Sequence, residues 1–216
     1  MKKIIAMIMA SGTSSRTGSI NKLRLDLGGE TVIQKTVKAF NRDWIHEVVV
    51  VCRDQAIREE LRNFSVRFVE GGESRAESVY RGLLSLEEDA MVLIHDGARP
   101  FVDEKTLERV HQACLKEENF VVCVPAIDTI KIVKDQLVLE TPDRSMCYYA
   151  QTPQGGPVAT LLRGYEKVRQ EAFRVTDDAS VLEYLGEEVV VLEGHYANKK
   201  ITTKEDVAYY ENRTRD

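Results

Sequence analysis

Short apolar runs alternate with amphipathic stretches along most of the chain. The apolar runs of strand length lie at 4–10, 48–52, 91–95 and 120–124. Such runs offer an apolar side chain on both faces, so each is predicted to be a strand buried within a parallel sheet. The stretches with helical periodicity lie at 31–41, 54–63, 74–87 and 103–118. This alternation predicts an α/β fold in which right-handed helical crossovers join parallel strands.

The pattern changes after Pro125. Residues 129–133 and 137–141 each alternate polar and apolar positions, and Lys134-Asp135-Gln136 could form a turn between them. We therefore predict a β-hairpin with one solvated face. Because a hairpin buries little of itself, it must pack on another surface. A second subunit and its own domain are both candidates. Helices at 158–172 and 177–185, a strand at 189–192 and a helix from 204 follow.

Composition limits the classes of partner. The chain has 216 residues, of which 43% are hydrophobic, enough for one domain spanning 1–216 with a sizeable core. A net charge of −5 gives no general basic excess, which argues against nucleic acid as the main partner. The first apolar run has seven residues, too few to span a membrane. We expect a cytoplasmic protein that has small-molecule substrates.

The cysteines do not indicate a metal or redox site. They are Cys52, Cys114, Cys123 and Cys147, and none forms a C-x-x-C pair. Cys52 and Cys123 lie within apolar runs, where a free cysteine behaves as a small core residue.

The first apolar run opens into a loop of small residues, 11–18, which contains Gly12 and Arg16. Such a loop lets the backbone approach phosphates closely. Arg16 and Lys22 could neutralise a triphosphate there, although both could equally be solvated surface cations. The segment is neither G-x-G-x-x-G nor a Walker A loop.

A second candidate lies at His95-Asp96-Gly97-Ala98-Arg99. Asp96 comes at the end of a predicted strand, the place where open α/β sheets bind ligands. Its carboxylate suits Mg²⁺, which prefers oxygen ligands and substrate phosphates. The alternative is a turn or cap aspartate paired with Arg99. We expect His95 to be a hydrogen-bonded residue rather than a metal ligand.

A third candidate combines Gly71-Gly72 with the start of a helix. Ser74 and Glu77 have the spacing of a capping box. Arg75 and Ser78 fall on the first turn, near unpaired backbone N–H groups. A capping role and a ligand role are compatible here.

Taken together, these segments resemble the sugar-alcohol-phosphate cytidylyltransferases, and most closely the branch that acts on 2-C-methyl-D-erythritol 4-phosphate. The similar segments lie in order at 12–23, 71–75, 95–101, 128–131, 143–144, 151–154, 176–180 and 193–194. The resemblance implies a Rossmann-like nucleotidyltransferase fold with a mostly parallel twisted sheet and a protruding β-hairpin arm at about 127–147. It also implies CTP as co-substrate, Mg²⁺, pyrophosphate release and a homodimer held by the arm.

The resemblance also implies roles for individual residues. The residues implied for catalysis are Arg16, Lys22, Arg144 and Lys200. Those implied for the nucleotide are Ala10, Ser11, Gly12, Thr13, Gly72, Arg75, Ser78 and Asp96, and Asp96 would also hold the metal. Those implied for the second substrate are Arg99, Thr129 and Lys131. Thr129, Arg144 and Lys200 would grip its phosphate, and the partner's arm is a candidate source of Thr129 and Arg144.

Several positions depart from the family pattern, among them Thr17, Asn21 and Leu23, and three other functions stay open. Ser11 and Ser14 stand where the family commonly has alanine and glycine, so residue 14 must avoid backbone conformations that only glycine tolerates. The nearest alternative function is cytidylyl transfer to D-ribitol 5-phosphate. A Rossmann-type oxidoreductase and a non-catalytic nucleotide-sensing dimer are the others.

Overall fold

A seven-stranded sheet runs through the part of the chain that the computed structural model describes, residues 1–12, 21–202 and 206. Its strands are β1 Ile4–Met9, β2 Glu47–Cys52, β3 Arg67–Glu70, β4 Met91–Asp96, β5 Phe120–Pro125, β8 Tyr148–Pro157 and β9 Val190–Glu193. Their spatial order is β3-β2-β1-β4-β8-β5-β9. Neighbouring strands are parallel except for β8, which runs antiparallel to both β4 and β5. The predicted α/β fold with a mostly parallel sheet is confirmed.

Helices cover both faces of this sheet. They are α1 Val32–Ala39, α2 Gln55–Glu60, α3 Arg75–Leu84, α4 Glu104–Leu115, α5 Val158–Gln170 and α6 Asp178–Leu185. Helices α1, α2 and α4 contribute to one apolar core, and α3, α5 and α6 contribute to the other. Alternate residues of β1 enter the two cores, which explains why its sequence is apolar at every position. Among the residues described, no helix has both the length and the hydrophobicity needed to cross a bilayer.

Of the described helices, all except α5 begin at a capping side chain. Thr31 and Gln34 form a reciprocal capping box at α1, and the Asp103 carboxylate accepts the N–H of Thr106 at 2.9 Å at α4. Helix α6 ends at Gly186, whose φ of +84° suits glycine. Most helices are shorter than predicted because the predicted ranges include the polar N-cap residue and the turn that follows the last helical residue. The final helix predicted from 204 lies outside the described residues, apart from Asp206.

Two strands escaped prediction. Strand β3 has four residues and lies at the edge of the sheet. Strand β8 contains Pro153, Gly155 and Gly156, residue types that are depleted in strands. The sheet nevertheless needs a glycine at 155, because a Cβ there would lie 2.0 Å from the carbonyl oxygen of Val92 on β4.

The predicted hairpin is present and stands away from the sheet. Strands β6 Ile132–Lys134 and β7 Leu137–Glu140 pair only with each other. Asp135 and Gln136 form the turn with φ of +48° and +65°, the left-handed pair that tight hairpins favour. Every residue of both strands is exposed. The alternative that the hairpin packs on its own domain is therefore wrong.

Replacing Gly155 with alanine should destabilise the fold. The new Cβ would overlap backbone rather than a movable side chain, so we expect a loss of about 3 kcal/mol. Thermal unfolding followed by circular dichroism would measure it. Gly12→Ala is the matched control, because a Cβ at Gly12 meets no described residue within 4 Å. Equal melting temperatures for the two variants would contradict this account of β8.

Candidate active site

A cleft of about 290 Å³ opens where the carboxyl ends of β1, β2 and β4 meet. Ligands of open α/β sheets bind at this edge. The lining residues are Met9, Ser11, Gly12, Lys22, Leu23, Arg53, Glu73, Ser74, Arg75, Ser78, Asp96, Gly97, Ala98, Lys200 and Thr202. They come from segments distant in sequence, which the parallel sheet brings together.

The cleft gathers most of the residues predicted to bind the nucleotide, together with two residues predicted for catalysis, Lys22 and Lys200. Ser11, Gly12, Lys22, Arg75, Ser78, Asp96 and Lys200 all line it. Ala10 is buried directly after β1, and Gly72 lies beside Glu73 on the loop before α3. Thr13 and Arg16 lie outside the described residues.

The predicted residues of the arm lie elsewhere on the same chain. Arg144 donates from Nη1 to the carbonyl oxygen of Ile127 at 2.9 Å, and Lys131 donates to Thr141 Oγ1 at 2.7 Å. Both side chains and Thr129 are exposed, and none of the three lines the cleft. A chain on its own therefore does not bring Thr129 or Arg144 to Asp96.

Asp96 is the electrostatic centre of the cleft. Its Oδ2 lies 3.0 Å from Lys200 Nζ and 3.3 Å from Arg99 Nε, and its Oδ1 lies 3.6 Å from Arg75 Nε. Burial alone would raise the pKa of this carboxyl, but the charges of Lys200, Arg75 and Arg99 hold the pKa well below its usual range. The carboxylate is therefore ionised at neutral pH and holds three cations at the end of β4.

Backbone contacts bring Lys200 to this position. The N–H of Ile201 donates to the carbonyl oxygen of Ala98 at 2.8 Å, and Arg99 Nη1 donates to the carbonyl oxygen of Asn198 at 2.8 Å. Asn198 is fully buried and donates to the carbonyl oxygen of Thr152 at 2.8 Å. The segment around Lys200 is thus attached to the turn that follows Asp96.

His95 holds the turn after Asp96 through hydrogen bonds to Arg99 and Thr152. Its Nε2 lies 3.0 Å from the carbonyl oxygen of Arg99 and must carry the proton, since a carbonyl only accepts. Its Nδ1 then accepts from the hydroxyl of Thr152 at 3.0 Å, and Thr152 Oγ1 accepts the N–H of Asp96 at 3.1 Å. As predicted, His95 is a hydrogen-bonded residue of the strand end.

The loop before α3 is held by Ser78. The N–H of Gly72 donates to Ser78 Oγ at 3.0 Å, and that hydroxyl donates to the carbonyl oxygen of Ser74 at 2.8 Å. Ser74 accepts the N–H of Glu77 at 3.0 Å, but the Glu77 carboxylate accepts from Glu73 rather than from Ser74. The predicted capping box is therefore only half formed, because the Glu77 carboxylate bonds to the backbone N–H of Glu73 instead of that of Ser74.

Ser11 fits against the paired glycines. Its hydroxyl donates to the carbonyl oxygen of Val51 at 3.0 Å. A Cβ on Gly71 would lie 2.0 Å from Ser11 Oγ, so residue 71 must be glycine in this arrangement. Ser11, which departs from the family pattern, therefore fits because the glycine at position 71 leaves room for its hydroxyl.

Lys22 enters the cleft from a short 3-10 turn, Lys22–Arg24. Asn21 caps the turn by accepting the N–H of Leu23 at 3.1 Å, and its amide donates to Asp54 at 2.8 Å. The backbone at Lys22 is therefore held at the cleft by the cap of Asn21 and by its contact with Asp54.

Comparison with known proteins is consistent with this geometry. Residues 4–215 match the family model described as IspD: 2-C-methyl-D-erythritol 4-phosphate cytidylyltransferase. The chain belongs to this family. A 2-C-methyl-D-erythritol 4-phosphate cytidylyltransferase of Halalkalibacterium halodurans is 39% identical over 216 residues, which cover 96% of this chain and 94% of that relative. The sequence-based prediction of a cytidylyltransferase is confirmed at the level of family and enzyme class.

Solved structures of this family share the fold. A 4-diphosphocytidyl-2C-methyl-D-erythritol synthase of Anaerococcus prevotii has a TM-score of 0.88 and 32% identity, covering 100% of this chain and 97% of that one. A 2-C-methyl-D-erythritol 4-phosphate cytidylyltransferase of Thermus thermophilus has a TM-score of 0.84 and 31% identity, with 100% of each chain covered. The family membership also disfavours the oxidoreductase alternative.

The donor set of the cleft fits a magnesium ion bound together with a nucleotide. The described residues contain no group of three His, Cys, Asp or Glu side chains able to hold a metal. Mg²⁺ commonly uses one or two carboxylates and completes its shell with substrate phosphates and water. Asp96 supplies one carboxylate, and its Oδ1 is beyond hydrogen-bond distance from Arg75 Nε.

Several lining residues of this cytidylyltransferase were not predicted. Arg53 directly follows β2, the neighbour of β1, so the rule that ligands bind beyond the carboxyl ends of strands could have found it. Glu73 and Leu23 lie inside the segments 71–75 and 12–23 that carry the family resemblance, without a role of their own. Thr202, two residues after Lys200, had no predicted role, and Met9 gave no signal, since its apolar side chain is indistinguishable from a core residue.

The stability of the enzyme should fall in mild acid because of His95. Burial lowers the pKa of His95 to about 4, so below pH 6.5 the unfolded chain binds a proton there that the folded chain excludes. The free energy of unfolding should therefore decrease between about pH 6.5 and pH 4, by at most about 3 kcal/mol.

Denaturant titrations at several pH values would measure this slope. His95→Gln should flatten it, because glutamine does not titrate. His195→Gln, at an exposed position, should retain the wild-type slope. Identical slopes for the wild type and His95→Gln would show that another group governs the acid sensitivity.

Proposed function

We propose that this chain transfers the cytidylyl group of CTP to 2-C-methyl-D-erythritol 4-phosphate and releases pyrophosphate. The observation that carries the proposal is the cluster in which Lys200, Arg99 and Arg75 surround Asp96, in the cleft that also contains Lys22. Two polyanionic substrates must approach each other in this reaction. A cationic cleft at the carboxyl edge of the sheet reduces their repulsion.

The reaction needs positioning and charge neutralisation more than proton transfer. A phosphate oxygen of the alcohol phosphate attacks the α-phosphorus of CTP, a new P–O bond forms, and the bond to the leaving pyrophosphate breaks. The attacking phosphate is already an anion at neutral pH, so no general base is required. Catalysis then consists of aligning the two phosphates and stabilising the charge of the transition state.

Each charged residue of the cleft has a defined part in this proposal. Lys22 binds the phosphates of CTP and stabilises the transition state, and Lys200 binds the phosphate of the second substrate. Asp96 would hold Mg²⁺ together with the nucleotide phosphates, where the ion would neutralise charge on the triphosphate. Arg99 orients Asp96 through the 3.3 Å contact to its Oδ2.

The base of CTP would lie against the loop before α3. Gly72 and Ala10 offer their carbonyl oxygens. Their own N–H groups are bonded to Ser78 Oγ and to the carbonyl oxygen of Val51, so the donor would come from the first turn of α3, where N–H groups lack helical acceptors. An acceptor facing the exocyclic amino group and a donor facing the ring carbonyl would select cytosine over uracil. Ser78 supports this pocket by holding the N–H of Gly72 at 3.0 Å.

Parallel assays would test the substrate. Purified enzyme with CTP and Mg²⁺ should release pyrophosphate with 2-C-methyl-D-erythritol 4-phosphate and much less with D-ribitol 5-phosphate. A preference for the ribitol substrate would favour the first alternative function. Release with neither alcohol would favour a nucleotide-sensing role.

Replacing Lys22 with alanine should remove one cation from the transition state. We expect turnover to fall by about a hundredfold, with the melting temperature nearly unchanged. Lys105→Ala, at an exposed position on α4, is the matched control and should retain full turnover. Turnover near the wild-type level in Lys22→Ala would remove this residue from the mechanism.

We also propose that the hairpin arm pairs two copies of the chain. Leucines 137 and 139, on one face of β7, are 71% and 63% exposed, and Val138, on the other face, is 59% exposed, so the arm carries uncovered apolar side chains on both faces. The arm leaves the sheet after β5 and returns in β8, so it can reach a neighbouring subunit. This arrangement would bring Thr129 and Arg144 of one protomer to the cleft of the other.

A charge on the arm should separate the dimer. Wild-type enzyme should sediment at twice the chain mass of 24.5 kDa, and Leu137→Glu should sediment as a monomer with reduced activity. Leu84→Glu, which alters a 58% exposed leucine on α3, is the matched control and should remain dimeric. A monomeric wild type would contradict the proposed assembly.

A further inference from the structure

A fully buried carboxylate lies behind the cleft. Asp178 begins α6 and its side chain has no exposed surface. Its Oδ1 accepts from Arg75 Nη1 at 2.9 Å and from the hydroxyl of Tyr165 at 2.5 Å, and its Oδ2 accepts from Arg75 Nη2 at 2.5 Å. The mechanism described above gives this residue no part.

The surroundings fix the position of the Asp178 carboxylate. The bidentate pair with Arg75 is charge-assisted, and the amino end of α6 favours negative charge. Gln154 of β8 accepts the backbone N–H groups of Asp178 and Ala179 at 2.9 and 2.8 Å, which anchors the first turn of the helix. The position of the carboxylate is therefore determined by the sheet.

One guanidinium is shared between two carboxylates. Both terminal nitrogens of Arg75 are committed to Asp178, and only the Nε edge faces Asp96, at 3.6 Å. The charge of Asp178 raises the pKa of Arg75 against the opposing effect of burial, so the arginine stays charged. Asp178 thus holds Arg75 just outside hydrogen-bond distance of Asp96 Oδ1.

We propose that Asp178 is a positioning residue for the transfer reaction. It restrains the Arg75 guanidinium at the cleft wall, so that Arg75 faces the nucleotide and does not close onto Asp96 Oδ1. Without the charge of Asp178, Arg75 would pair directly with Asp96 and leave its place in the cleft. This inference rests on the proposed function, because it concerns the alignment of that reaction.

Asp178→Asn tests the restraint, because asparagine keeps the volume and an acceptor but removes the charge. We expect kcat to fall by about tenfold to a hundredfold, with KM for CTP changing by less than about threefold. Tyr165→Phe is the matched control, since it removes the third hydrogen bond but leaves the Arg75–Asp178 pair intact. It should lower the melting temperature while keeping kcat within about twofold of the wild type. An equal loss of kcat in both variants would overturn the proposal.

A double-variant cycle separates this positioning role from a merely structural one. If Asp178 acts through Arg75, then Arg75→Gln/Asp178→Asn should have the same kcat as Arg75→Gln alone. If the loss of kcat in the double variant equals the product of the two single-variant losses, Asp178 acts independently of Arg75 and the proposal is overturned. Melting temperatures of all variants identify any that fail to fold.

A crystal structure of the wild type with CTP and Mg²⁺ gives a readout that needs no variant. Arg75 should keep both bonds to Asp178 while facing the nucleotide. An Arg75 that has left Asp178 would overturn the proposal.

The proposed function fails separately, if the wild type releases no pyrophosphate from CTP and 2-C-methyl-D-erythritol 4-phosphate. An active wild type with an unaffected Asp178→Asn overturns the positioning role alone.

Discussion

The cleft depends on one buried carboxylate that holds three cations. Asp96 ends a central strand, and Lys200, Arg99 and Arg75 reach it from three separate parts of the chain. Like charges would drive these cations apart without the carboxylate between them. The turn after β4 and the segment around Lys200 also form hydrogen bonds with each other. These bonds and the ion pair of Lys200 with Asp96 together attach the segment around Lys200 to the sheet.

The buried polar groups behind Asp96 give the cluster its rigidity. His95, Thr152 and the backbone of Asp96 and Arg99 form a chain of hydrogen bonds in which each donor has an acceptor. In a low-dielectric interior such bonds are strong, and an unmade one is costly. The charged side chains therefore stand on a backbone that has little freedom to move. Preorganisation of this kind lets a cationic site act without rearranging during the reaction.

Much of the site could be predicted because parallel strands share one functional edge. The loop after the first strand, with Lys22, and Asp96 after β4 were each singled out because they follow predicted strands, and Lys200 followed from the family resemblance. The pair of Arg75 with Asp178 could not be predicted, since 103 residues separate them and Asp178 has the sequence context of an ordinary helix start. Strand β8 was hidden because its prolines and glycines are selected by contacts with β4 and β5 rather than by local propensity. The single-domain extent over 1–216, the cytoplasmic location and the absence of a nucleic-acid partner stay predictions.

The packing of Ser11 against Gly71 limits how the enzyme could be re-engineered. Even the Cβ of residue 11 would lie 2.7 Å from a Cβ at position 71, so shortening the serine to alanine would not create room for a side chain there. A combinatorial library that seeks a new nucleobase preference gains nothing by randomising position 71. Arg53 lines the same cleft with an exposed side chain, which makes it the better position to vary.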